Sequence, residues 1–413
     1  TPFGPFGALD SDIKIFKELL FKVSTVINFI NVLKYYDLIL NYMENIYIAG
    51  TGYWKGDEVV TNDEIVASFN SYVERFNVEN NQAIEAGTME PLGPSSVEFI
   101  EKASGIKTRY LIDKKNCLDI DVMKPILRNE SSENISILAE MSIHAAKEAM
   151  NQAGIEAKDI DAVILGTSHS ARNYPAIACE VMDELGIKGY GYDMLIGCSS
   201  TTFAISNAYS DIASGLANTI LVINPELTSP HNDFTLRDSH FIFGDACVAT
   251  IVQKDSLSEN RAKIIDRKLV TQFSNNIRSD FSYLNRVEEN PREEKDLFFK
   301  QNGKSVFKEV CPMVATLITD QLHALDLKAS DITQFWLHQA NSNMCRFIIT
   351  KILGTSDYDP SIAPMILSEF GNVASAGSLL SYHLNNNLLE GNKGIICSFG
   401  AGYSICSLLI EKE

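Results

Sequence analysis

Residues 192–208 read YDMLIGCSSTTFAISNA, an apolar stretch followed by a glycine and then by small and apolar residues that lead to Gly215. This pattern predicts a strand, a tight turn and a helix, with Cys198 at or just before the helix N-terminus. The exposed N–H groups and the positive end of a helix favour a thiolate, which is the nucleophilic form of cysteine. A cysteine in apolar surroundings is more often a small core residue, so the segment needs partners before it indicates chemistry.

Two other segments supply such partners. His338 follows an apolar run within Phe335–Asn341, at a strand end, where α/β sheets present functional groups. Asn372 lies among glycines and small residues that let backbone come close to a ligand. A glycine-rich turn around Ala401 can direct backbone N–H groups at an anion. Together these residues suit thioester chemistry, in which the cysteine holds an acyl group while histidine and asparagine donate hydrogen bonds to a developing enolate.

The rest of the chain alternates short apolar runs with helical patterns, which is typical of parallel or mixed sheets covered by helices. Helical spacing is clearest in residues 142–150 and 306–325. The runs that predict strands are Ile46–Ala49, Ala162–Leu165, Tyr192–Ile196, Thr219–Ile223, Val248–Val252, Lys263–Val270, Gln334–Leu337, Gly394–Ser398 and Ile405–Ile410. A helix followed by a strand and a polar loop occurs twice, in residues 139–198 and 306–341, and this indicates an internal duplication.

Composition excludes some classes of function. The chain has 413 residues and a net charge of −18, and it therefore lacks the overall basic character of a nucleic-acid binder. A hydrophobic fraction of 45% with 21% charged residues is ordinary for a soluble globular protein. The eight cysteines are scattered without metal-ligand spacing, so we expect a reduced, cytoplasmic chain without a structural metal site.

Residues 1–42 do not match the rest of the chain. Their apolar stretch, Val23–Leu33, is too short to span a bilayer, which needs ~20 residues, so no integral membrane segment is expected. Lys22 and other charged residues argue against a signal peptide. Met43 reads like a native start, which makes 1–42 an N-terminal extension. It is interpreted either as a non-native segment or as a membrane-surface or partner helix.

At the Cys198, His338 and Asn372 segments the sequence resembles the β-ketoacyl-acyl carrier protein synthase III family, the initiating condensing enzymes of fatty-acid synthesis. The resemblance runs from Met43 to the C-terminus and carries seven motifs in the family's order. They are the Cys198 segment, His338-Gln339-Ala340-Asn341, Gly371-Asn372, Ser104-Gly105-Ile106-Lys107-Thr108-Arg109, Tyr174-Pro175-Ala176, Phe243-Gly244-Asp245-Ala246 and Gly303-Lys304-Ser305-Val306-Phe307.

The resemblance implies a homodimer with the α/β thiolase-like fold, five-layered α/β/α/β/α with duplicated halves. We place the N-terminal half at 43–258 and the C-terminal half at 259–413. Cys198 would take the acyl group from acyl-CoA, and His338 and Asn372 would stabilise the enolate formed when malonyl-acyl carrier protein loses CO2. The backbone N–H groups of Cys198 and Ala401 would bind the thioester oxyanion. No cofactor is implied, because CoA and phosphopantetheine thioesters are the substrates.

Further roles follow from the same resemblance. Asn341 would hydrogen-bond to the His338 region and line the pantetheine tunnel. Phe99 replaces the tryptophan that stacks on the CoA adenine in typical members, and Ala103 replaces a nearby arginine. Tyr174 would reach across the dimer into the partner's acyl pocket.

Two more expectations concern the partners. Arg346 and Lys351, on a predicted helix at the tunnel mouth, would dock the acidic carrier protein. Two polar segments that resemble insertions, Phe69–Pro94 and Asp113–Glu133, favour a longer primer than acetyl, such as a medium-chain acyl-CoA.

Two alternatives stay open at this point. One is a condensing enzyme of the same superfamily that makes a specialised ketone, quinolone or ester. The other is a non-catalytic partner subunit, against which the presence of both Cys198 and His338 argues.

Overall fold

The computed structural model describes residues 45–413, so the expectations for residues 1–42 and for a start at Met43 lie outside the described residues. In this range the strands are β1 Ile46–Lys55, β2 Glu58–Thr61, β3 Thr108–Leu111, β4 Ala162–Thr167, β5 Tyr190–Leu195, β6 Thr219–Glu226, β7 Ala246–Lys254, β8 Ala262–Ser274, β9 Ile277–Arg278, β10 Lys300–Gln301, β11 Ile332–Leu337, β12 Lys393–Gly400 and β13 Gly402–Lys412. The α-helices are α1 Asn62–Glu79, α2 Asn81–Glu85, α3 Val97–Ser104, α4 Lys114–Leu118, α5 Ile137–Ala153, α6 Ile177–Leu185, α7 Ser200–Ala213, α8 Gly303–Ala324, α9 Ser342–Leu353, α10 Leu367–Phe370 and α11 Gly377–Asn385.

Local sequence explains where these elements begin and how closely they pack. Helix α5 starts after Ser136, whose hydroxyl accepts a hydrogen bond from the Ala139 N–H at 3.1 Å. The helix ends at Gly154, which adopts the left-handed conformation. On strand β1, a side chain at Gly52 would meet the Ala145 carbonyl oxygen at 2.3 Å. Glycine therefore lets α5 lie directly against the strand.

One mixed sheet carries the fold, in the order β11-β12-β13-β8-β1-β7-β6-β4-β5. From the junction of β1 and β8, the first half runs outward as β1, β7, β6 and β4, and the second half runs outward as β8, β13, β12 and β11. Counted among the strands of this sheet, each half therefore places its first strand, its last, its next-to-last and its second in the same order. The first half adds β5 at its edge, and in the described residues the second half has no strand at that place. The repeated order is the duplication expected from the sequence. The boundary between residues 258 and 259 stays a prediction.

Three apolar cores stack these elements into five layers. Helices α5 and α6 pack on one face of the first half, and α8 and α9 pack on one face of the second half. Between them, α7 and α11 share a single core with strands of both halves. The five-layered α/β/α/β/α thiolase-like fold is thereby confirmed, and its central helix layer brings the start of α7 close to the segment that precedes α11.

The strand predictions are confirmed at all nine runs, each of which falls on a strand of the large sheet. The sequence analysis missed the short strands β2, β3, β9 and β10, which form two small sheets of their own. The predicted insertion Phe69–Pro94 contains the second part of α1 and all of α2. Across residues 45–413, no helix combines the length and apolar character that crossing a bilayer requires.

Candidate active site

Cys198 lies in a 3-10 turn, Gly197–Ser199, between β5 and α7. Gly197 has φ +57°, a left-handed conformation that glycine adopts without strain. The thiol packs against the end of β12, because a Cβ added to Gly400 would lie 2.6 Å from the Cys198 Cβ and 3.2 Å from its Sγ. The nucleophile candidate is therefore held between the helix-forming turn and a neighbouring strand.

The expectation of a lowered thiol pKa is wrong in direction. Burial raises the pKa of Cys198 to about 12, and the negative charge of Glu226 acts in the same direction. The chain adopts the expected strand, turn and helix. The loss of water around the sulfur nevertheless raises the thiol pKa by more than the helix N-terminus could lower it. The thiol is therefore protonated at neutral pH until a base or the substrate changes its surroundings.

His338 follows β11 and is fully enclosed. Its backbone N–H donates to the Cys397 carbonyl at 2.8 Å, and its ring meets the Phe399 ring edge-on with 5.3 Å between ring centroids. Burial lowers the pKa of His338 to about 4, although a backbone hydrogen bond with Ala374 opposes this shift. The imidazole is therefore neutral at pH 7, and its Nδ1 has no hydrogen-bond partner within residues 45–413.

Asn372 is fixed through its backbone and its side chain. Its N–H donates to the Ile242 carbonyl at 2.9 Å, and its carbonyl accepts from the Gly244 N–H at 3.2 Å. Its Oδ1 accepts from the Ala374 N–H at 3.0 Å, which leaves the Nδ2 group as the donor end of the amide. Ala374 has φ +43°, an unusual conformation for a non-glycine residue, and is the backbone neighbour shared by Asn372 and His338.

Two cavities lie in this region, one at Cys198 and one at Asn372. One has a volume of about 220 Å³ and is lined by Cys198, Ala401 and Ala374 among others. The second has a volume of about 180 Å³ and includes Asn372 in its lining. Phe299 borders both cavities. The arrangement can hold one group at the thiol and a second at the asparagine amide.

Glu226, at the end of β6, is a buried carboxyl group behind the nucleophile. It accepts hydrogen bonds from the N–H groups of Ser168 at 3.0 Å and Ser375 at 3.2 Å. Burial raises the pKa of Glu226 to about 7, although these hydrogen bonds act to lower it. The sequence analysis assigned no role to Glu226, which the fold brings to the site at the end of β6.

The sequence matches two family models, described as 3-oxoacyl-[acyl-carrier-protein] synthase III over residues 192–272 and as its C-terminal part over residues 322–412. It is 48% identical over 349 residues to the β-ketodecanoyl-[acyl-carrier-protein] synthase of Pseudomonas aeruginosa. That match covers 84% of this chain and 99% of the relative. The chain belongs to the β-ketoacyl-acyl carrier protein synthase III family.

Other relatives agree with this assignment. The β-ketoacyl-[acyl-carrier-protein] synthase III of Clostridium perfringens is 27% identical, over 83% of this chain and 97% of its own length. The solved structure of the Aquifex aeolicus enzyme superposes with a TM-score of 0.68 at 21% identity, covering 89% of this chain and 99% of that one. The priming β-ketosynthase of the R1128 polyketide pathway gives 0.70 at 20% identity, over 90% and 98%. The protein is accordingly an acyltransferase of the condensing type.

In this fold, Cys198 and Ala401 line the first cavity and Asn372 lines the second. His338 lines neither cavity, but it shares the neighbour Ala374 with Asn372. Asn341 lines the second cavity, and its side chain does not bond to His338. Its Oδ1 accepts from the Asn343 N–H at 2.8 Å, and its Nδ2 donates to the Ala103 carbonyl at 2.7 Å. The reason is local, because Asn341 is the N-cap of α9 and its side chain is used there.

The other predicted residues lie away from the nucleophile. Phe99 is half-buried on α3, and the guanidinium of Arg237 lies 3.8 Å from its ring centroid. Tyr174 has 84% of its surface exposed and does not line the Cys198 cavity. Arg346 and Lys351 are both exposed on α9.

The sequence analysis missed three groups besides Glu226. Arg237 covers Phe99, and His169 and His231 line the Cys198 cavity. The sequence signal of His169 and His231 is their position after the buried strands β4 and β6, whereas Arg237 carries no such signal. No cluster of three potential metal ligands occurs within residues 45–413.

Proposed function

We propose that this enzyme is an initiating condensing enzyme that joins an acyl-CoA primer to malonyl-acyl carrier protein. In the first half-reaction, the Cys198 sulfur attacks the acyl thioester and CoA leaves as its thiol. In the second, malonyl-acyl carrier protein loses CO2 to give an enolate, whose carbon attacks the acyl-cysteine. The products are a β-ketoacyl-carrier protein and the regenerated Cys198 thiol.

The observation that carries this proposal is that two neutral donors, His338 and Asn372, share the neighbour Ala374, which lines the Cys198 cavity. His338 is kept uncharged by burial, and the Asn372 amide has its Nδ2 end unoccupied because Ala374 holds its oxygen. Neutral donors fixed in a water-poor site stabilise a developing enolate oxygen strongly, because they need no reorganisation. Backbone N–H groups at Cys198 and Ala401 would serve the thioester oxyanion.

A medium-chain primer fits best. The Pseudomonas aeruginosa relative, 48% identical, is named for a β-ketodecanoyl product, which has two carbons more than its primer. The Cys198 cavity of about 220 Å³ lies below the ~300 Å³ at which drug-sized clefts begin, so it suits a single chain.

CoA recognition would use the half-buried Phe99. One face of its ring is already covered by Arg237, whose Nε donates to the Pro94 carbonyl at 2.7 Å. An adenine can therefore stack on the Phe99–Arg237 pair or displace the Arg237 guanidinium from Phe99. The small side chain of Ala103 leaves room in the lining of the second cavity.

Carrier-protein docking would use the exposed bases near the second cavity. Arg346 and Lys351 on α9 are joined by Lys304 and Lys308 on α8, and all four are exposed. No acidic side chain within residues 45–413 pairs with any of them. An acidic partner approaching a chain of charge −18 needs such a local basic surface.

We also propose a cytoplasmic homodimer. Strand β5 forms one edge of the sheet and ends at Leu195, which is 55% exposed, and Tyr174 is 84% exposed. A second copy pairing at this edge would cover both side chains and complete the acyl cavity. The cysteines of residues 45–413 are free thiols, as in proteins of reducing compartments.

The test is a panel of acyl-CoA thioesters from two to twelve carbons, followed by malonyl-acyl carrier protein. Intact-protein mass should show one acyl group per chain on wild type and on Cys179→Ala, the exposed-cysteine control, and none on Cys198→Ala. CO2 release should then require the carrier substrate. Label on another cysteine, or a released ketone or ester instead of a β-ketoacyl-carrier protein, would overturn the proposal.

A further inference from the structure

Two histidines lie face to face in the Cys198 cavity. The rings of His169 and His231 are stacked with 3.3 Å between centroids and 14° between planes. Both residues line the same cavity as the nucleophile. Phe281 meets His231 edge-on at 6.0 Å.

These imidazoles hold unused hydrogen-bonding capacity in that cavity, which Arg278 and Ser279 also line. The Ser168 hydroxyl donates to Glu226 at 3.1 Å, and the Thr228 hydroxyl donates to the Gly244 carbonyl at 2.7 Å. By contrast, no side chain or backbone group in the described part of the chain hydrogen-bonds to a ring nitrogen of His169 or His231. Anything that these nitrogens bind must therefore come from the contents of the cavity.

The rings are uncharged in this environment. Burial lowers the pKa of His169 to about 3 and that of His231 to about 4, and the neighbouring His231 ring further disfavours a charge on His169. A neutral imidazole offers one N–H donor and one acceptor nitrogen. The N–H can donate to a hydroxyl or a ketone oxygen, and the acceptor nitrogen can also receive the proton of a hydroxyl, which an ionised carboxylate does not offer.

We propose that His169 and His231 are specificity-determining residues that bind an oxygen on the acyl chain, so that the preferred primer is a hydroxyacyl or oxoacyl thioester. This inference rests on the proposed function, because it requires an acyl group on Cys198. A plain alkyl chain would remove water from the ring nitrogens without replacing its hydrogen bonds, and buried polar groups without partners are unfavourable. An oxygen at the right carbon avoids that loss.

The test compares octanoyl-CoA with a set of hydroxyoctanoyl-CoA isomers that differ in hydroxyl position. The rate of Cys198 acylation is measured by intact-protein mass for wild type and for His169→Phe/His231→Phe, which keeps two flat rings but removes their nitrogens. Wild type should load at least one isomer about tenfold faster than octanoyl-CoA, as expected for one or two net hydrogen bonds. The double variant should lose this preference and load octanoyl-CoA faster than wild type does. His144→Phe, at an exposed position, should behave like wild type.

Two results would overturn the inference. One is a wild-type enzyme that loads octanoyl-CoA as fast as every hydroxyoctanoyl-CoA isomer. This result would refute the inference even if the double variant does not fold. The other is a folded double variant with unchanged selectivity. Failure of all CoA thioesters to acylate wild-type Cys198 would instead refute the proposed function.

Discussion

Gly400→Ala tests how tightly β12 holds the nucleophile. The added methyl group would lie 2.6 Å from the Cys198 Cβ, so the two groups have to separate by about 0.8 Å to reach an ordinary 3.4 Å contact. Gly400 is buried and paired with Ser404 on β13, which leaves the Cys198 turn as the part that moves. A misplacement near 1 Å costs about 100-fold in rate, and we expect acylation of Cys198 to slow by about that factor.

The assay is the time course of acylation with a saturating acyl-CoA, stopped by acid and read by intact-protein mass. Thermal unfolding should accompany it, because a misfolded variant would lose activity for another reason. Gly93→Ala is the matched control, since a methyl group there has no atom within 4 Å. A folded Gly400→Ala enzyme that acylates at the wild-type rate would refute the reasoning.

Three further predictions follow from the site. His338→Ala should still acylate Cys198 while CO2 release falls by roughly 100- to 1,000-fold, because the enolate exists only in the second half-reaction; equal loss in both steps would show that the imidazole activates the thiol. Glu226→Gln should lower the pKa of Cys198 and raise its alkylation by iodoacetamide about tenfold for each unit of decrease. That difference from wild type should be present above pH 7 and vanish as the pH falls through about 7, where the wild-type carboxyl is protonated. Reversing Arg346 and Lys351 to Glu should raise the Michaelis constant for malonyl-acyl carrier protein severalfold at low salt, leave acyl-CoA loading unchanged and matter less as salt screens the charges over ~10 Å at 0.1 M; an unaltered constant would place docking elsewhere.

Much of the fold could be predicted because several strands of the large sheet are buried on both faces. Such strands read as continuous apolar runs, and β4 and β6 are fully buried along their whole length. The short strands β2 and β10 have largely exposed residues, so they carry no comparable signal. The duplication could be predicted from repeated helix–strand–loop order, whereas the full strand order required the tertiary structure.

The catalytic candidates could also be found from sequence, since Cys198 and His338 each follow a strand in a distinctive local pattern. The pKa values of these residues could not be predicted from the sequence. The pKa of Cys198 depends on how much water the surrounding elements remove and on Glu226, which joins the site from another strand. The stacking of His169 on His231 likewise depends on two loops that meet only in the folded chain.

Burial has opposite consequences for the two half-reactions. It keeps His338 neutral, which suits a donor to an enolate, but it also keeps Cys198 protonated, which hinders attack on a thioester. The carboxylate of Glu226 adds to that hindrance above pH 7 and ceases to do so once it is protonated. Acylation should therefore depend on pH through Cys198 and Glu226, whereas decarboxylation should be nearly independent of pH above the low pKa of His338. Measuring the two steps separately across pH 5 to 9 would distinguish these electrostatic roles, because a shared profile would require one group to control both steps.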